Sequence, residues 1–257
     1  MTIDQHLLIT LITAGVVGAA AGYLGSIMVL RRLALAGDVL SHVALPGIGV
    51  ALIFNLNPFL MAFIFLFAAS WLIWLLEKKT RVPTEALIGI LFVASLAVGV
   101  MIIPDLEELG EALFGDIAKI SIFDTALAVF LSTLIFIIGV KIYKGLVLGT
   151  ISEDLAIANG VKLRKINLLF LVLVSAVVAI GVKVVGALLM GSLIIVSATA
   201  AKNLSRSISR YASLSTVFGF VAAPAGLLIA RTYELPPGPM IILIGIGIFL
   251  LSLLAKK

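Results

Sequence analysis

The sequence contains no cysteine, and charged residues occupy only 12% of its 257 positions. Without cysteine the chain has no disulfide framework, no thiolate metal site and no cysteine nucleophile. The low charge accompanies 62% hydrophobic residues and a mean hydropathy of +1.29, which excludes an ordinary soluble domain. Because helices satisfy their own backbone groups in lipid, the composition predicts an all-α, polytopic integral membrane protein.

A second absence concerns nucleotide chemistry. No Gly-Lys dipeptide occurs in the chain, so the phosphate-binding pattern G-x-x-x-x-G-K-[ST] is missing. The chain therefore cannot hydrolyse ATP by that mechanism, and any coupling to ATP requires a second subunit.

Apolar stretches of the length that crosses a bilayer, about 20 residues, recur along the chain. We predict a single transmembrane domain over 1–257 with about nine spans, eight being possible. Lys183 and Gly186 interrupt the stretch 166–201, which predicts two helices around a tight turn or, alternatively, a helix and a re-entrant half. The predicted spans are 7–30, 33–54, 58–76, 84–103, 123–140, 166–185, 186–201, 211–230 and 238–255.

Basic residues are unequally divided between the two sides that these spans connect. Fifteen of the 18 Lys and Arg residues fall on one side, and Lys119, Lys183 and Arg231 fall on the other. Because basic loops stay in the cytoplasm, we expect the N-terminus outside and the C-terminus in the cytoplasm. The sequence pI of about 9.6 then describes the inner face alone, so we expect contact with the lipid bilayer and no nucleic-acid partner.

The second predicted span contains an aspartate and a histidine, Asp38 and His42, well inside an apolar helix. Their spacing of four places both side chains on one helical face, about one turn apart. Ionisable groups inside a membrane are costly and usually mark an ion path. Imidazole suits Zn²⁺, Mn²⁺ or Fe²⁺, and Pro46 frees the carbonyl of His42 nearby. The alternatives are a helix N-cap for Asp38 and an interhelical hydrogen bond for His42.

One Asp and one His are too few ligands for Zn²⁺, which usually takes four, or for Mn²⁺, which takes about six. A two-fold dimer with the second spans near its axis would supply two of each. The alternative is a weak site in each chain, completed by water and by the freed carbonyl of His42.

A polar segment after the fifth span predicts a short cytoplasmic helix over 152–160. Ser152 is a natural N-cap, Glu153 and Asp154 suit the positive end of the helix dipole, and Gly160 is a stop signal. Its apolar side chains are Leu155, Ile157 and Ala158. An apolar side outside the membrane predicts docking on a partner or, alternatively, on the chain's own spans.

Several of these segments resemble the membrane permeases of ATP-binding-cassette importers for zinc, manganese and iron. They are LRRLALAGDVLSHVALPGIGVA at 30–51, LFGDI at 113–117, TISEDLAIANGVKL at 150–163, VGALLMGSLIIVSATAA at 185–201 and PPGPMIIL at 236–243. The resemblance runs from about residue 18 to the end of the chain. One departure is Ser197, where the family often has proline.

The resemblance implies a transport permease, not an enzyme, in the cell membrane of a prokaryote. It implies a dimer of permeases, two cytoplasmic ATPase subunits and an extracytoplasmic metal-binding protein. The cargo would be a divalent metal ion, with no permanently bound cofactor. Asp38 and His42 match the D-x-x-x-H pair at the family's metal path, and 152–160 matches its coupling helix to the ATPase.

An acidic segment on the predicted outer side carries five carboxylates within twelve residues: Asp105, Glu107, Glu108, Glu111 and Asp116. Such a cluster raises the local concentration of divalent cations, an effect that salt screens over about 8 Å at physiological ionic strength. We expect it to form the outward mouth or to dock the delivery protein; the alternative is an ordinary solvated loop.

Two other functions remain alternatives at this point. A secondary transporter driven by an ion gradient would show an inverted repeat with paired broken helices, which we do not find. An intramembrane hydrolase would need a second membrane carboxylate or a nucleophilic serine as a companion to Asp38 and His42.

Overall fold

The computed structural model describes residues 3–80, 82–103, 110, 113–114 and 120–255, and within these ranges the chain forms helices and no strand. The helices are α1 Ile3–Leu30, α2 Ala34–Ile53, α3 Pro58–Lys79, α4 Thr84–Ile102, α5 Ile122–Ile151, α6 Glu153–Ala158, α7 Leu163–Val185, α8 Ala187–Leu204, α9 Ile208–Thr232 and α10 Pro237–Leu254. The predicted all-α membrane fold is confirmed.

Eight helices in the described part of the chain are long and apolar enough to cross a membrane. The seventh predicted span, 186–201, corresponds to α8, whose apolar part Leu189–Leu204 is shorter than the other eight. The predicted tight turn at Gly186 is confirmed: this residue has φ +89° and separates α7 from α8. Helix α5 runs to Ile151, well beyond the predicted end at 140, because Ile142 and Leu146 keep its face buried.

Helices α1, α2 and α7 form the buried centre of the molecule. The glycine positions of α1 pack directly on neighbouring backbones: Gly18 lies against Gly219 and Gly22 against Ser215. The Ser215 hydroxyl donates to the carbonyl of Gly22 at 2.5 Å. The residues at these crossings are small, so α1 and α9 approach closely, as small residues allow in membrane bundles.

An ion pair joins the N-terminus of α5 to the end of α7. The ammonium of Lys183 lies 2.7 Å from a carboxylate oxygen of Asp124, which also accepts from the backbone N–H of Ser121 at 2.8 Å. The residue after Asp124 links α5 to α1, because the hydroxyls of Thr125 and Thr13 lie 2.7 Å apart. The contact places the start of α5 and the end of α7 on the same side of the helix bundle, as the alternation of the predicted spans requires.

Candidate functional site

Asp38 is the fifth residue of α2, whose N-cap position is Leu33. The alternative role of Asp38 as an N-cap is therefore wrong, because the helix begins one turn earlier without a side-chain cap. Within the described residues its carboxylate has no hydrogen bond or ion pair, and the side chain is half-buried. A carboxylate without a partner at this depth is available to a cation.

His42 lies one turn further along α2 and is only 6% exposed. Its Nδ1 atom lies 2.9 Å from the backbone carbonyl of Asp38, so the predicted interhelical hydrogen bond is replaced by one within α2. A carbonyl can only accept, so Nδ1 carries a proton, and in the neutral imidazole Nε2 then has a free lone pair. The ring of Phe92 packs edge-on against the imidazole at 5.0 Å between centroids. These contacts orient a ring whose free nitrogen can bind a metal ion.

Helix α8 packs tightly on α2 at this position. The Ser41 hydroxyl lies 2.6 Å from the carbonyl of Asp38 and 2.5 Å from that of Ala187, the first residue of α8. Gly191 lies against the backbone of Asp38, where a Cβ atom would overlap it. These contacts were not predicted, although Ser41 belongs to the segment 30–51 and the other two residues to the segment 185–201, both of which carried the resemblance.

The turn between α7 and α8 is held from its other side. The backbone of Gly186 lies against the backbones of Leu113 and Phe114, with no room for a Cβ atom between them. Both residues belong to the LFGDI run at 113–117. This contact fixes the turn from which Ala187 reaches Ser41.

A single chain supplies few metal ligands. Across the described ranges, which omit 104–109, 111–112 and 115–119, no three His, Cys, Asp or Glu side chains lie close enough together to hold a metal ion. Within these ranges the candidate site offers two side-chain ligands, the Asp38 carboxylate and Nε2 of His42. Pro46 lies inside α2 and has no N–H to donate to the carbonyl of His42.

The short helix predicted over 152–160 is present as α6, Glu153–Ala158. Its N-cap is Ser152, whose hydroxyl accepts from the N–H of Leu155 at 3.2 Å. Gly160 ends the helix with φ +75°, and the N–H of Val161 donates to the carbonyl of Ala156 at 3.0 Å. This left-handed residue ends the helix at the glycine that the sequence predicted as its stop.

The surface of α6 is mostly uncovered by the chain. Ala156 is fully buried, but Leu155 is 48% exposed and Ile157 is 62% exposed. Ala158, predicted on the apolar side, is also exposed. The chain's own helices therefore cover one alanine of α6 and leave its larger apolar side chains exposed, so the alternative of docking on the chain's own spans accounts for only a small part of its surface.

The proposed outer mouth cannot be placed. Its five residues, Asp105, Glu107, Glu108, Glu111 and Asp116, lie outside the described residues.

The chain is similar to known proteins over nearly its whole length. The model of the ABC 3 transport family matches residues 4–256. The manganese transport system membrane protein MntC of Listeria innocua is 28% identical over 97% of this chain and 89% of its own length. The zinc uptake membrane protein ZnuB of Buchnera aphidicola is 30% identical over 91% and 92%. The structure of PsaBC from Streptococcus pneumoniae superposes with a TM-score of 0.85 at 30% identity, covering 96% of this chain and 90% of that one.

Proposed function

Because this chain belongs to the ABC 3 transport family, we propose that Asp38 and His42 bind the transported ion and that α6 couples this site to an ATPase. One observation carries the proposal. The Nδ1 atom of His42 is occupied by the carbonyl of Asp38, which leaves Nε2 free near a carboxylate that has no partner among the described residues.

The chain is the transmembrane permease of an ATP-driven metal importer, a transport protein and not an enzyme. It is a multi-pass protein of the plasma membrane and works with an ATPase subunit and a metal-binding protein. The missing phosphate-binding loop agrees with a separate ATPase. Family membership removes the alternative of a secondary transporter driven by an ion gradient.

The cargo is zinc or manganese, the metals in the names of the two relatives given above. An imidazole nitrogen and a carboxylate oxygen are ligands for both ions. Those two names give no support for iron, which the sequence resemblance had included.

Two copies of the chain complete the site. Each copy offers one carboxylate oxygen and one imidazole nitrogen, and Zn²⁺ usually takes four ligands. A two-fold axis near α2 would bring Asp38 and His42 of both copies to a single ion. A site in one chain, completed by water and the free carbonyl of His42, is the competing arrangement and would hold the ion more weakly.

Helix α6 is the surface that the ATPase contacts. Its larger apolar side chains, Leu155 and Ile157, are exposed outside the membrane, while its caps hold the helix in shape. Glu153 and Asp154 place negative charge at its N-terminus. A short, capped helix with one buried alanine can move as a unit and press on the helices before and after it.

The face that carries α6 is cytoplasmic. The positive-inside rule supports this orientation, which places the N-terminus outside and the C-terminus in the cytoplasm. The acidic segment with Asp105, Glu107, Glu108, Glu111 and Asp116 then faces the delivery protein. Neutralising the three glutamates should slow uptake more at low salt than at high salt, and equal slowing at both would remove this electrostatic role.

The test of the metal site uses the two histidines of the chain, His6 and His42. In proteoliposomes that contain permease, ATPase and delivery protein, His42→Ala should reduce zinc and manganese uptake to background. His6→Ala is the matched control and should retain uptake, because His6 lies in the first turn of α1 and outside the D-x-x-x-H pair. Uptake by His42→Ala at the level of His6→Ala would contradict the assignment.

A further inference from the structure

The turn between α1 and α2 is closed by backbone hydrogen bonds and leads directly into α2, which carries Asp38 and His42. Arg31 donates its N–H to the carbonyl of Ile27 at 3.0 Å, and Leu33 donates to that of Met28 at 2.9 Å. Arg32, between them, has φ +60°, so the turn is a hydrogen-bonded helix stop. Helix α2 begins at the next residue, Ala34. A displacement of Arg31 is therefore passed to the first turn of α2.

The side chain of Arg31 reaches across to α7. Its guanidinium lies over the ring of Phe170, 5.6 Å from the ring centroid. Phe170 is fully buried, two turns after the start of α7. A guanidinium over an aromatic face in a partly desolvated position is attracted by about 1–2 kcal/mol. The Arg31 contact therefore joins the α1–α2 turn to the cytoplasmic half of α7.

Helices α6 and α7 are joined by a second turn that backbone hydrogen bonds close. The N–H of Gly160 donates to the carbonyl of Ile157 at 2.9 Å, and Leu163, the first residue of α7, donates to that of Val161 at 3.0 Å. With the Gly160 stop at φ +75°, this turn has few free torsions. A push on α6 therefore displaces the start of α7, two turns before Phe170.

The charges around Arg31 support the same connection. Burial lowers the pKa of Arg31, while the carboxylates of Glu77 and Glu153 raise it. Arginine keeps its charge at any physiological pH, so the cation lies in the field of both carboxylates. Glu153 is the first residue of α6, and Glu77 lies near the end of α3.

We propose that Arg31 is a positioning residue that transmits the displacement of α6 and α7 to the first turn of α2, and so to Asp38 and His42. The proposal rests on the coupling role of α6 proposed above. It assigns Arg31 no contact with the metal ion and none with ATP.

The test measures metal uptake and ATP hydrolysis in the same proteoliposomes of the complete importer. Arg31→Met keeps an unbranched apolar stem and removes the guanidinium with its charge. We expect metal transported per ATP to fall about tenfold, within the usual range of coupling between sites, while hydrolysis stays within about twofold of wild type. Arg31→Lys keeps the charge over Phe170 and should restore the ratio to within about threefold. Arg32→Met, which removes a neighbouring exposed charge, is the control and should leave the ratio unchanged.

A second arm uses Glu153, whose carboxylate raises the pKa of Arg31. Glu153→Gln should lower metal per ATP by about threefold in the wild-type background and have no further effect beside Arg31→Met, because residues that act as one unit are not additive. This arm tests the role of Arg31 even if Arg31→Met does not assemble. In that case, an unchanged amount of metal transported per ATP in Glu153→Gln would overturn the proposal.

Three results would overturn the role of Arg31. They are an unchanged ratio in Arg31→Met, an equal loss of uptake and hydrolysis, and no rescue by lysine. The coupling role of α6 is tested separately by Gly160→Val, which changes its stop. If Gly160→Val lowers metal per ATP and Arg31→Met does not, the role of Arg31 alone fails. If neither lowers it, both proposals fail.

Discussion

The α2–α8 crossing and helix α6 differ in how much of their surface is buried by the rest of the chain. At the crossing, Gly191 lies against the backbone of Asp38, and Ser41 bridges to the first residue of α8. In α6, Ala156 is buried while Leu155 and Ile157 remain exposed. The first region is packed to backbone contact; the second is a capped helix with an uncovered surface.

The crossing lacks metal ligands and α6 lacks a covering surface, so the two regions need different partners. The crossing is packed to backbone contact, but among the described residues the proposed metal site offers two side-chain ligands, Asp38 and His42, so it needs further ligands. Helix α6 has complete caps but exposed apolar side chains, so it needs a surface to cover them. A second permease copy or water would supply the first, and an ATPase would supply the second.

The largest effect is expected from a side chain placed in the packed region. Gly191→Val puts a branched side chain onto the backbone of Asp38, which cannot move aside, and should cost about 3 kcal/mol or more in the free energy of unfolding. Thermal unfolding of the purified permease in one detergent measures this cost. Gly247→Ala, in α10 with open space around it, is the control and should be neutral or slightly stabilising. Equal stability of the two variants would show that the crossing is looser than described.

Removing the metal-site charge should affect transport without affecting packing. Asp38→Asn should lower metal uptake by about a hundredfold, or about 3 kcal/mol, because a neutral amide does not offset the desolvation of a dication. Its thermal stability should equal that of wild type, since the carboxylate has no bond to lose among the described residues. The control is Asp124→Asn, whose carboxylate pairs with Lys183 and whose uptake should stay within about threefold. Wild-type uptake by Asp38→Asn would remove Asp38 from the ion path.

An intermediate effect is expected on the uncovered surface of α6. Ile157→Asp should weaken ATPase binding by about 2 kcal/mol, because a buried isoleucine contributes about that much, and should leave permease stability unchanged. Binding of purified ATPase to the permease in nanodiscs measures the difference. Phe54→Asp changes another exposed apolar residue, immediately after α2, and should bind the ATPase normally. Equal loss in both variants would contradict a specific docking surface.

The smallest change in free energy is expected at the glycine that ends α6. Gly160→Val places a branched residue at φ +75°, which costs about 1–2 kcal/mol and tilts the helix. Glu153→Lys reverses the charge at its positive dipole end. The double variant should assemble with its partners yet lose most of its uptake and of the metal stimulation of ATP hydrolysis, so that metal transported per ATP falls. Gly89→Val, in α4 with open space around it, should keep both activities. Full activity in the double variant would contradict the coupling role.

Much of the fold could be predicted because its causes are local. Long apolar runs place the spans, and Ser152 with Gly160 places α6. Asp38 and His42 stand out because ionisable residues are rare inside a membrane helix. Each of these features depends on residues that are neighbours along the chain.

The features that escaped prediction depend on how the helices are aligned side by side. Gly191 reaches Asp38, and Arg31 reaches Phe170, through contacts between helices far apart in sequence. The hydrogen bond that selects the free nitrogen of His42 depends on its side-chain rotamer, which the spacing of four does not fix. The true end of α5 depends on the burial of Leu146 by its neighbours.

The central claim is that Nε2 of His42 binds the transported ion. Zinc-edge X-ray absorption on the permease–ATPase complex, loaded with zinc in the absence of the delivery protein, tests it most directly. We predict nitrogen or oxygen ligands at about 2.0–2.1 Å with an imidazole scattering pattern that His6→Ala retains and His42→Ala loses. Two imidazoles per zinc would support the shared dimer site, and one would support the site completed by water. An imidazole pattern that persists in His42→Ala would contradict the claim.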